Sequence, residues 1–253
     1  MRWDYYKQFY LSYSKTYQFK NKVNKAISII NSFPSVSGLD LKNIYCTCSA
    51  GKDSTVLSIL VNKVYPNIKI FSQKDNYDYP GEIEYLRMLQ NRYKLNIDII
   101  EVEIDISNIN IFEQIHKRGT EISDKYFYSI IDKYKKDNNY KGVFLGLRKE
   151  ESKIRKINLC KRGYIYKKSN NDWVCNPLSD FLGRDIFAFL LSNNIEPFEI
   201  YKKCDFCHPE KIRKSWYLPG SFSNKGSVTN LKYYYPELFK KLEDKNKNIR
   251  KYL

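Results

Sequence analysis

The chain has 253 residues, 44 of them basic and 28 acidic, so its formal net charge is +16 at pH 7. This length fits one α/β domain with an appendage or two small domains, and no run approaches the ~20 apolar residues of a membrane span. Because the N-terminus lacks the apolar core of a signal peptide and six cysteines are too few for a disulfide scaffold, we expect a soluble, cytoplasmic protein without a membrane partner.

The excess of positive charge favours a polyanionic partner, either nucleic acid or a ligand with several phosphates. Coding by an AT-rich genome is the alternative explanation, because the chain is also rich in Asn, Ile and Tyr.

The N-terminal stretch predicts a helical segment over residues 1–38. Residues 5–32 place aromatic and aliphatic side chains at helical spacing, which indicates one or two amphipathic helices. Lysines interleave with the aromatics, but packing into a core explains this pattern better than nucleic-acid contact. Asn31 to Pro34, followed by Gly38, predict the end of the helix.

From Leu41 the pattern alternates between strand and helix. The predicted strands lie near 43–48, 68–72, 97–103 and 142–146. The predicted helices lie near 54–65, 81–93, 108–118 and 123–137. This alternation predicts a Rossmann-like α/β fold, a parallel sheet with helices on both faces, spanning residues 39–156. Ligands of such sheets bind at the carboxyl ends of the strands.

A tight turn of small residues joins the first predicted strand to the next helix. Backbone N–H groups at a helix N-terminus attract a phosphate group, and lysine and serine side chains add further donors. A Walker A loop is excluded, because Cys46 stands where that motif needs glycine. The candidate phosphate-binding residues are Ser49, Ala50, Gly51, Lys52, Asp53 and Ser54.

A second candidate segment follows the fourth predicted strand. Arg148 and Arg155 offer planar guanidinium groups suited to phosphate or sulfate oxygens. Gly146 would let the backbone approach a nucleotide, Glu151 would hold one arginine, and Ser152 would donate to an oxygen. A basic, solvated helix start is the alternative, but the position after a strand of this sheet favours binding.

Residues 157–253 are predicted to form an irregular region that contacts substrate and partners. Tyr164–Tyr166 and Trp173–Cys175 predict a hairpin, and a helix is expected near 183–193. The C-terminal mixture of cations and aromatics fits nucleic-acid contact and a half-buried tail equally well.

The cysteines of this region suggest a metal site. Cys204 and Cys207 have the C-x-x-C spacing that lets two thiolates bind one metal centre. Cys160 and Cys175 flank the hairpin, which would bring them together. Four thiolates suit a [4Fe–4S] cluster or a structural Zn²⁺, and free buried thiols are the alternative.

Taken together, these motifs resemble the adenine nucleotide alpha-hydrolase superfamily, specifically its PAPS (phosphoadenosine phosphosulfate) reductase-like branch. Residues 49–54 resemble the pyrophosphate loop Ser-Gly-Gly-Lys-Asp-Ser, with Ala50 in place of a glycine. Residues 146–155 resemble the signature Gly-x-Arg-x-x-Glu-Ser-x-x-Arg. The resemblance covers about residues 40–201. We expect Ala50 to fit by keeping a negative φ.

The resemblance implies an ATP-pyrophosphatase that adenylates an acceptor, releases pyrophosphate and supports sulfur transfer. The implied cofactors are ATP, or PAPS or APS, with Mg²⁺; the implied partners are DNA or tRNA and a sulfur donor protein. It gives catalytic roles to Lys52, Asp53, Arg148 and Arg155. It also places Asp75, or as the second choice Asp78, near the nucleotide or Mg²⁺, although turn composition alone explains both residues. It favours an iron–sulfur cluster over zinc at the four cysteines.

Two other functions remain open at this point. One is a PAPS- or APS-using reductase or a sulfate adenylyltransferase. Against reduction, the chain lacks the C-terminal Glu-Cys-Gly-Leu/Ile-His element of assimilatory reductases, since no cysteine follows Cys207. The other is a non-catalytic nucleotide-binding subunit of a DNA-modification or defence complex.

Overall fold

A computed structural model describes residues 2–104, 124–205, 208–212, 214, 225–245 and 247–253. The described helices are α1 (Arg2–Tyr13), α2 (Tyr17–Ser37), α3 (Lys52–Val64), α4 (Glu82–Tyr93), α5 (Ser129–Asp137), α6 (Lys153–Arg162), α7 (Gly183–Ser192), α8 (Lys225–Tyr234) and α9 (Pro236–Lys245). The strands are β1 (Ile44–Thr47), β2 (Lys69–Asp75), β3 (Asn96–Val102), β4 (Gly142–Phe144), β5 (Ile165–Lys167) and β6 (Trp173–Cys175).

The strands form one sheet in the order β3-β2-β1-β4-β6-β5. All neighbouring pairs are parallel except β5 and β6, which form the predicted antiparallel hairpin. Because β6 pairs with β4, the sheet continues beyond residue 157. The strand order reverses between β1 and β4, so the loops after these two strands open outward at the switch point where such sheets bind ligands.

Alternating strand residues build a core on each face of the sheet. On one face Ile44, Cys46 and Ile70 pack in a cluster that also takes in residues of α1, α2, α3, α4 and α7. On the other face Tyr45 and Phe71 pack against residues of α5. Helices therefore lie on both faces, and the predicted α/β Rossmann-like fold is confirmed.

The four predicted strands and the helices near 54–65, 81–93 and 183–193 are present, with small differences at their ends. The predicted helix 123–137 is observed as a π-helical turn followed by α5. The predicted helix 108–118 lies outside the described residues. Within the described ranges, no helix combines the length and apolar character needed to cross a bilayer.

The sequence predicted the end of the helix at Asn31–Pro34 together with Gly38; the helix ends at Gly38, and only the break before it is wrong. Pro34 lies inside α2, which continues to Ser37. Gly38 ends the helix in the left-handed conformation, with φ of 69°, and its N–H donates to the carbonyl of Pro34 at 2.9 Å.

A tertiary contact explains why proline is tolerated there. Proline has no N–H, so the carbonyl of Ile30 loses its usual helical partner. The hydroxyl of Tyr65 reaches this gap, 3.0 Å from the carbonyl of Asn31 and 3.4 Å from that of Ile30. The break was predicted from local sequence, whereas the compensation comes from a residue beyond α3.

We therefore expect Tyr65→Phe to lower the free energy of unfolding by about 1 kcal/mol, because it removes this donor. Urea denaturation measures the change. The control is Tyr17→Phe, since Tyr17 is 80% exposed and its loss of a hydroxyl should change stability little. Equal stability of the two variants would contradict the assigned role of Tyr65.

Candidate functional site

The turn between β1 and α3 is held by its own serine side chains. The Ser54 hydroxyl donates to the carbonyl of Gly51 at 3.0 Å and accepts from the N–H of Ser49 at 3.0 Å. Lys52 is the first residue of α3 and Gly51 its N-cap. Within the described part of the chain, no hydrogen bond engages the N–H groups of Asp53 and Ser54. These donors at the positive end of the α3 dipole suit a bound anion.

Ala50 adopts the left-handed conformation, with φ of 60°, so the expectation of a negative φ is wrong. The turn imposes the backbone conformation that glycine adopts without strain. An alanine in that conformation costs roughly 1 kcal/mol. Its methyl group is fully buried in the core cluster, and this burial offsets part of the strain.

Lys52 and Asp53 lie together at the base of the site. The Lys52 ammonium is 3.2 Å from an Asp53 carboxylate oxygen and donates to the carbonyl of Ile212 at 3.2 Å. The other Asp53 oxygen accepts from Nε of Arg148 at 2.6 Å. Burial alone would raise the pKa of Asp53, but attraction to Lys52 and Arg148 outweighs it and holds the pKa below its ordinary value. Asp53 is therefore ionised at neutral pH.

The segment after β4 supplies two arginines in different states. Arg148 is almost fully buried and also contacts Glu150 at 2.5 Å. Arg155 is 41% exposed and pairs with Glu151, which also accepts from the N–H of Arg148 at 2.9 Å. Arg148 is thus fixed by two carboxylates, while Arg155 keeps one side open to an incoming group.

Gly146 allows close packing of the two loops. A Cβ added at this position would lie 3.3 Å from the carbonyl carbon and oxygen of Asp53 and 3.4 Å from the nitrogen of Ser54. The sequence predicted an approach to a bound nucleotide; the contact seen is with the backbone of the loop itself. A side chain at this position would therefore be in tight contact with the backbone of the loop.

Sequence reasoning missed Tyr201, which completes the base of the site. Its buried hydroxyl accepts from the N–H of Lys52 at 3.1 Å, and the Lys52 ammonium lies 5.2 Å from the ring centroid. Burial, followed by the charge of Asp53, raises the pKa of Tyr201 well above its ordinary value. No local motif marks this tyrosine among the 23 in the chain.

These loops, together with Glu210, Lys211 and Lys214, enclose a cleft of about 260 Å³. It opens at the carboxyl ends of β1 and β4, where the strand order reverses. Its lining consists of Thr47, Ser49, Gly51, Lys52, Asp53, Ser54, Leu145, Gly146, Leu147, Arg148, Glu150, Glu151, Arg155, Tyr201, Glu210, Lys211 and Lys214.

Two predicted site residues have local structural roles and do not line this cleft. Ser152 is the N-cap of α6, and its hydroxyl accepts from the N–H of Arg155 at 3.1 Å. Asp75 ends β2 and accepts from the N–H of Tyr77 at 2.8 Å, as expected of a turn residue. Their proposed contacts with nucleotide or Mg²⁺ stay predictions.

A buried charge cluster supports the loop from behind. Lys74 donates to the carbonyl of Ser49 at 3.3 Å and contacts Glu82 at 2.5 Å. Lys214, which lines the cleft, contacts the same oxygen of Glu82. Asp78 lies 3.4 Å from Lys74 and 3.7 Å from Lys214. Burial, against the attraction of Glu82, lowers the pKa of Lys214.

The predicted cysteine ligands lie in different settings. Cys160 is exposed on α6, whereas Cys175 in β6 and Cys204 are buried; Cys207 lies outside the described residues. Burial raises the pKa of the Cys175 thiol. Across the described ranges, no group of three or more metal-ligating side chains is found. A four-cysteine metal site stays a prediction, which iron, sulfide and zinc analysis of anaerobically purified protein tests.

Comparison with known sequences gives two matches. The profile of the phosphoadenosine phosphosulfate reductase domain family matches residues 43–226. An uncharacterized protein from Methanocaldococcus jannaschii is 24% identical over 234 residues, which is 87% of this chain and 51% of the relative. The chain thus spans about half the length of this curated relative.

Solved structures share the fold. A PAPS reductase from Candida auris, determined as a phosphate complex, has a TM-score of 0.52 at 15% identity and covers 70% of this chain and 84% of its own. The FMN adenylyltransferase of Candida glabrata has a TM-score of 0.53 at 20% identity, and the match covers 79% of this chain and 67% of that enzyme. A further structure of the latter enzyme, with FMN and the ATP analogue AMPCPP, has a TM-score of 0.53 at 18% identity. That match covers 79% of this chain and 68% of the enzyme.

Proposed function

Because the chain belongs to the phosphoadenosine phosphosulfate reductase domain family, a family of nucleotide-binding domains, we propose that it binds ATP at the 49–54 loop and acts as an ATP-pyrophosphatase. It would adenylate an acceptor and so activate it for sulfur transfer. The observation that carries this proposal is the joint lining of one cleft by the α3 N-terminus, Lys52 and two arginines.

The residues of the cleft fit a chain of phosphates. The free N–H groups of α3 and the Lys52 ammonium supply positive potential for phosphate oxygens. Arg155, half exposed, is free to turn toward the α-phosphate or the acceptor, while buried Arg148 keeps Asp53 ionised. Asp53 would be the carboxylate that holds Mg²⁺ together with the phosphates. When bound, Mg²⁺ supplies charge neutralisation of the phosphate chain.

In the proposed reaction an acceptor atom forms a bond to the α-phosphorus. The bond from that phosphorus to the bridging oxygen breaks, and pyrophosphate leaves with the electron pair. Lys52 and the α3 amides would stabilise the charge that develops on pyrophosphate, which is the largest contribution such a site makes. A sulfur donor would then displace AMP from the activated acceptor.

The C. glabrata structure with an ATP analogue supports the choice of ATP by analogy of fold. PAPS or APS is the competing ligand, since the family takes its name from PAPS reductase. Reduction of PAPS and sulfate adenylylation are further alternatives, and the test below separates a nucleotide-binding role without turnover from catalysis.

We expect calorimetry to show that AMPCPP binds the wild-type protein, and that Lys52→Ala weakens binding by at least about tenfold, since one direct phosphate contact is lost. Lys63→Ala on the same helix is the control, because Lys63 contacts Asn193 away from the cleft. Binding of PAPS alone would overturn the choice of ATP. AMPCPP binding without pyrophosphate release from ATP, with acceptor present, would leave only a binding role.

A further inference from the structure

A run of basic residues adjoins the cleft, and apart from Arg155 it has no part in the site described above. Residues 153–168, which form α6, the following turn and β5, contain seven basic residues and no acidic one. Chains with mixed surface charge normally intersperse the two signs. An acid-free stretch of this length concentrates positive potential on one side of the molecule.

Helical spacing gathers part of this charge on one face of α6. With 3.6 residues per turn, positions 153, 156, 157 and 161 fall on the same side of the helix. Lys153, Lys156 and Lys161 are exposed there. Ile157 lies among them and Ile154 beside them, each 66% exposed. Leu159, on the opposite side of the helix, is buried.

Acidic residues close to this run in the sequence are already in ion pairs that do not involve its exposed lysines. Glu151 pairs with Arg155, Asp180 with Lys25 and Lys149, and Asp172 with Lys135. Among the residues that the structure describes, no carboxylate lies within ion-pair distance of the exposed cations of this run. These cations are Lys153, Lys156, Lys161, Arg162, Lys167 and Lys168.

We propose that this basic face binds a single-stranded nucleic acid and presents it to the cleft as the acceptor, an inference that rests on the proposed function. Arg155 lies in the first turn of α6, on the side opposite the basic face, and lines the cleft. The N-terminal end of α6 therefore adjoins the cleft, and a strand that follows the basic face toward this end reaches the reaction site. A helix of ten residues is roughly 15 Å long, enough to follow two or three nucleotides.

The exposed isoleucines favour a single strand over a duplex. A duplex turns its phosphates outward and keeps its bases stacked inside, so Ile154 and Ile157 would face only charged backbone. A single strand can lay its phosphates along the lysines while its unstacked bases cover the apolar side chains. Arg162, whose guanidinium lies 5.2 Å from the Tyr166 ring centroid, extends the same surface toward β5.

The test compares two triple variants in fluorescence anisotropy with a mixed-sequence single-stranded DNA of about 20 nucleotides, and with RNA of the same sequence. One variant replaces Lys153, Lys156 and Lys161 with glutamine. The matched control makes the same change at Lys240, Lys245 and Lys247, exposed lysines of α9 and the turn after it. Their neighbour Lys241 donates to the carbonyl of Asn76, which follows β2.

We expect the first variant to weaken binding at least about tenfold at ~0.1 M salt and to lower the slope of log K against log salt by about 2, because each lost phosphate contact removes roughly 0.7. The control should match the wild type. Unchanged affinity in the first variant, equal binding of the duplex, or equal competition by polyglutamate would each overturn the proposal. AMPCPP binding, measured on the same proteins, reports on the loop alone and so separates failure of this surface from failure of the nucleotide site.

Discussion

Arg148→Met is expected to abolish pyrophosphate release and to lower the free energy of unfolding by about 3 kcal/mol. The reason is that it removes the buried guanidinium that forms ion pairs with two carboxylates. The guanidinium contacts Asp53 at 2.6 Å and Glu150 at 2.5 Å, and it is only 3% exposed. Without it, Asp53 keeps Lys52 as its remaining partner and draws that lysine away from the phosphates.

Arg155→Met is the informative comparison for Arg148. The Arg155 side chain, which pairs with Glu151, is 41% exposed, so solvent screens this ion pair. Its loss should change the free energy of unfolding by less than about 1 kcal/mol. Activity should still fall, since Arg155 lines the cleft. Unfolding in urea and pyrophosphate release separate the two effects. A stability loss as large in Arg155→Met as in Arg148→Met would contradict the distinction between a fixed and an open arginine.

The acid dependence of the Arg148 effect has a definite sign. The pKa of Asp53 lies below its ordinary value in the folded protein, so its contribution to stability is fully present above the unfolded pKa of about 3.9 and is lost as pH falls through the folded value. The stability gap between wild type and Arg148→Met should therefore be constant from about pH 5 to pH 7 and shrink in stronger acid. A gap that widens below about pH 4 would contradict this assignment.

The fold and the turn between β1 and α3 were predictable because both depend on local pattern. Alternating apolar runs fixed the strands, and small residues between β1 and α3 marked the loop. Gly146 and Arg148 could be placed beside it because parallel strands bring their carboxyl ends to one edge of the sheet.

Tertiary contacts account for what the sequence did not predict. Pro34 is accommodated inside a helix, where the hydroxyl of Tyr65 reaches the carbonyls of Ile30 and Asn31. Tyr201 enters the site from a short 3-10 turn, 149 residues after Lys52, with no motif around it. Ala50 takes a glycine conformation because the turn requires it, which residue type alone did not reveal.

The charge cluster behind the loop gives the second large expected effect. Glu82→Gln should lower the free energy of unfolding by about 3 kcal/mol, because Lys74 and Lys214, both buried, share this one carboxylate. The amide keeps the size of the side chain and removes its charge. Glu84→Gln is the matched control on α4, since Glu84 is exposed and should change stability by less than about 0.5 kcal/mol.

Lys214 sets the pH dependence of this variant. Burial lowers its pKa even with Glu82 present, and without Glu82 burial is opposed only by the more distant Asp78. The folded variant then binds fewer protons than its unfolded chain, so its stability rises with pH. The difference in the free energy of unfolding between wild type and Glu82→Gln, measured by urea titration, should become smaller from pH 7 to pH 9. AMPCPP affinity should fall as well, since Lys74 holds the Ser49 carbonyl and Lys214 lines the cleft. A gap that stays constant with pH would mean that Asp78 alone keeps both lysines charged.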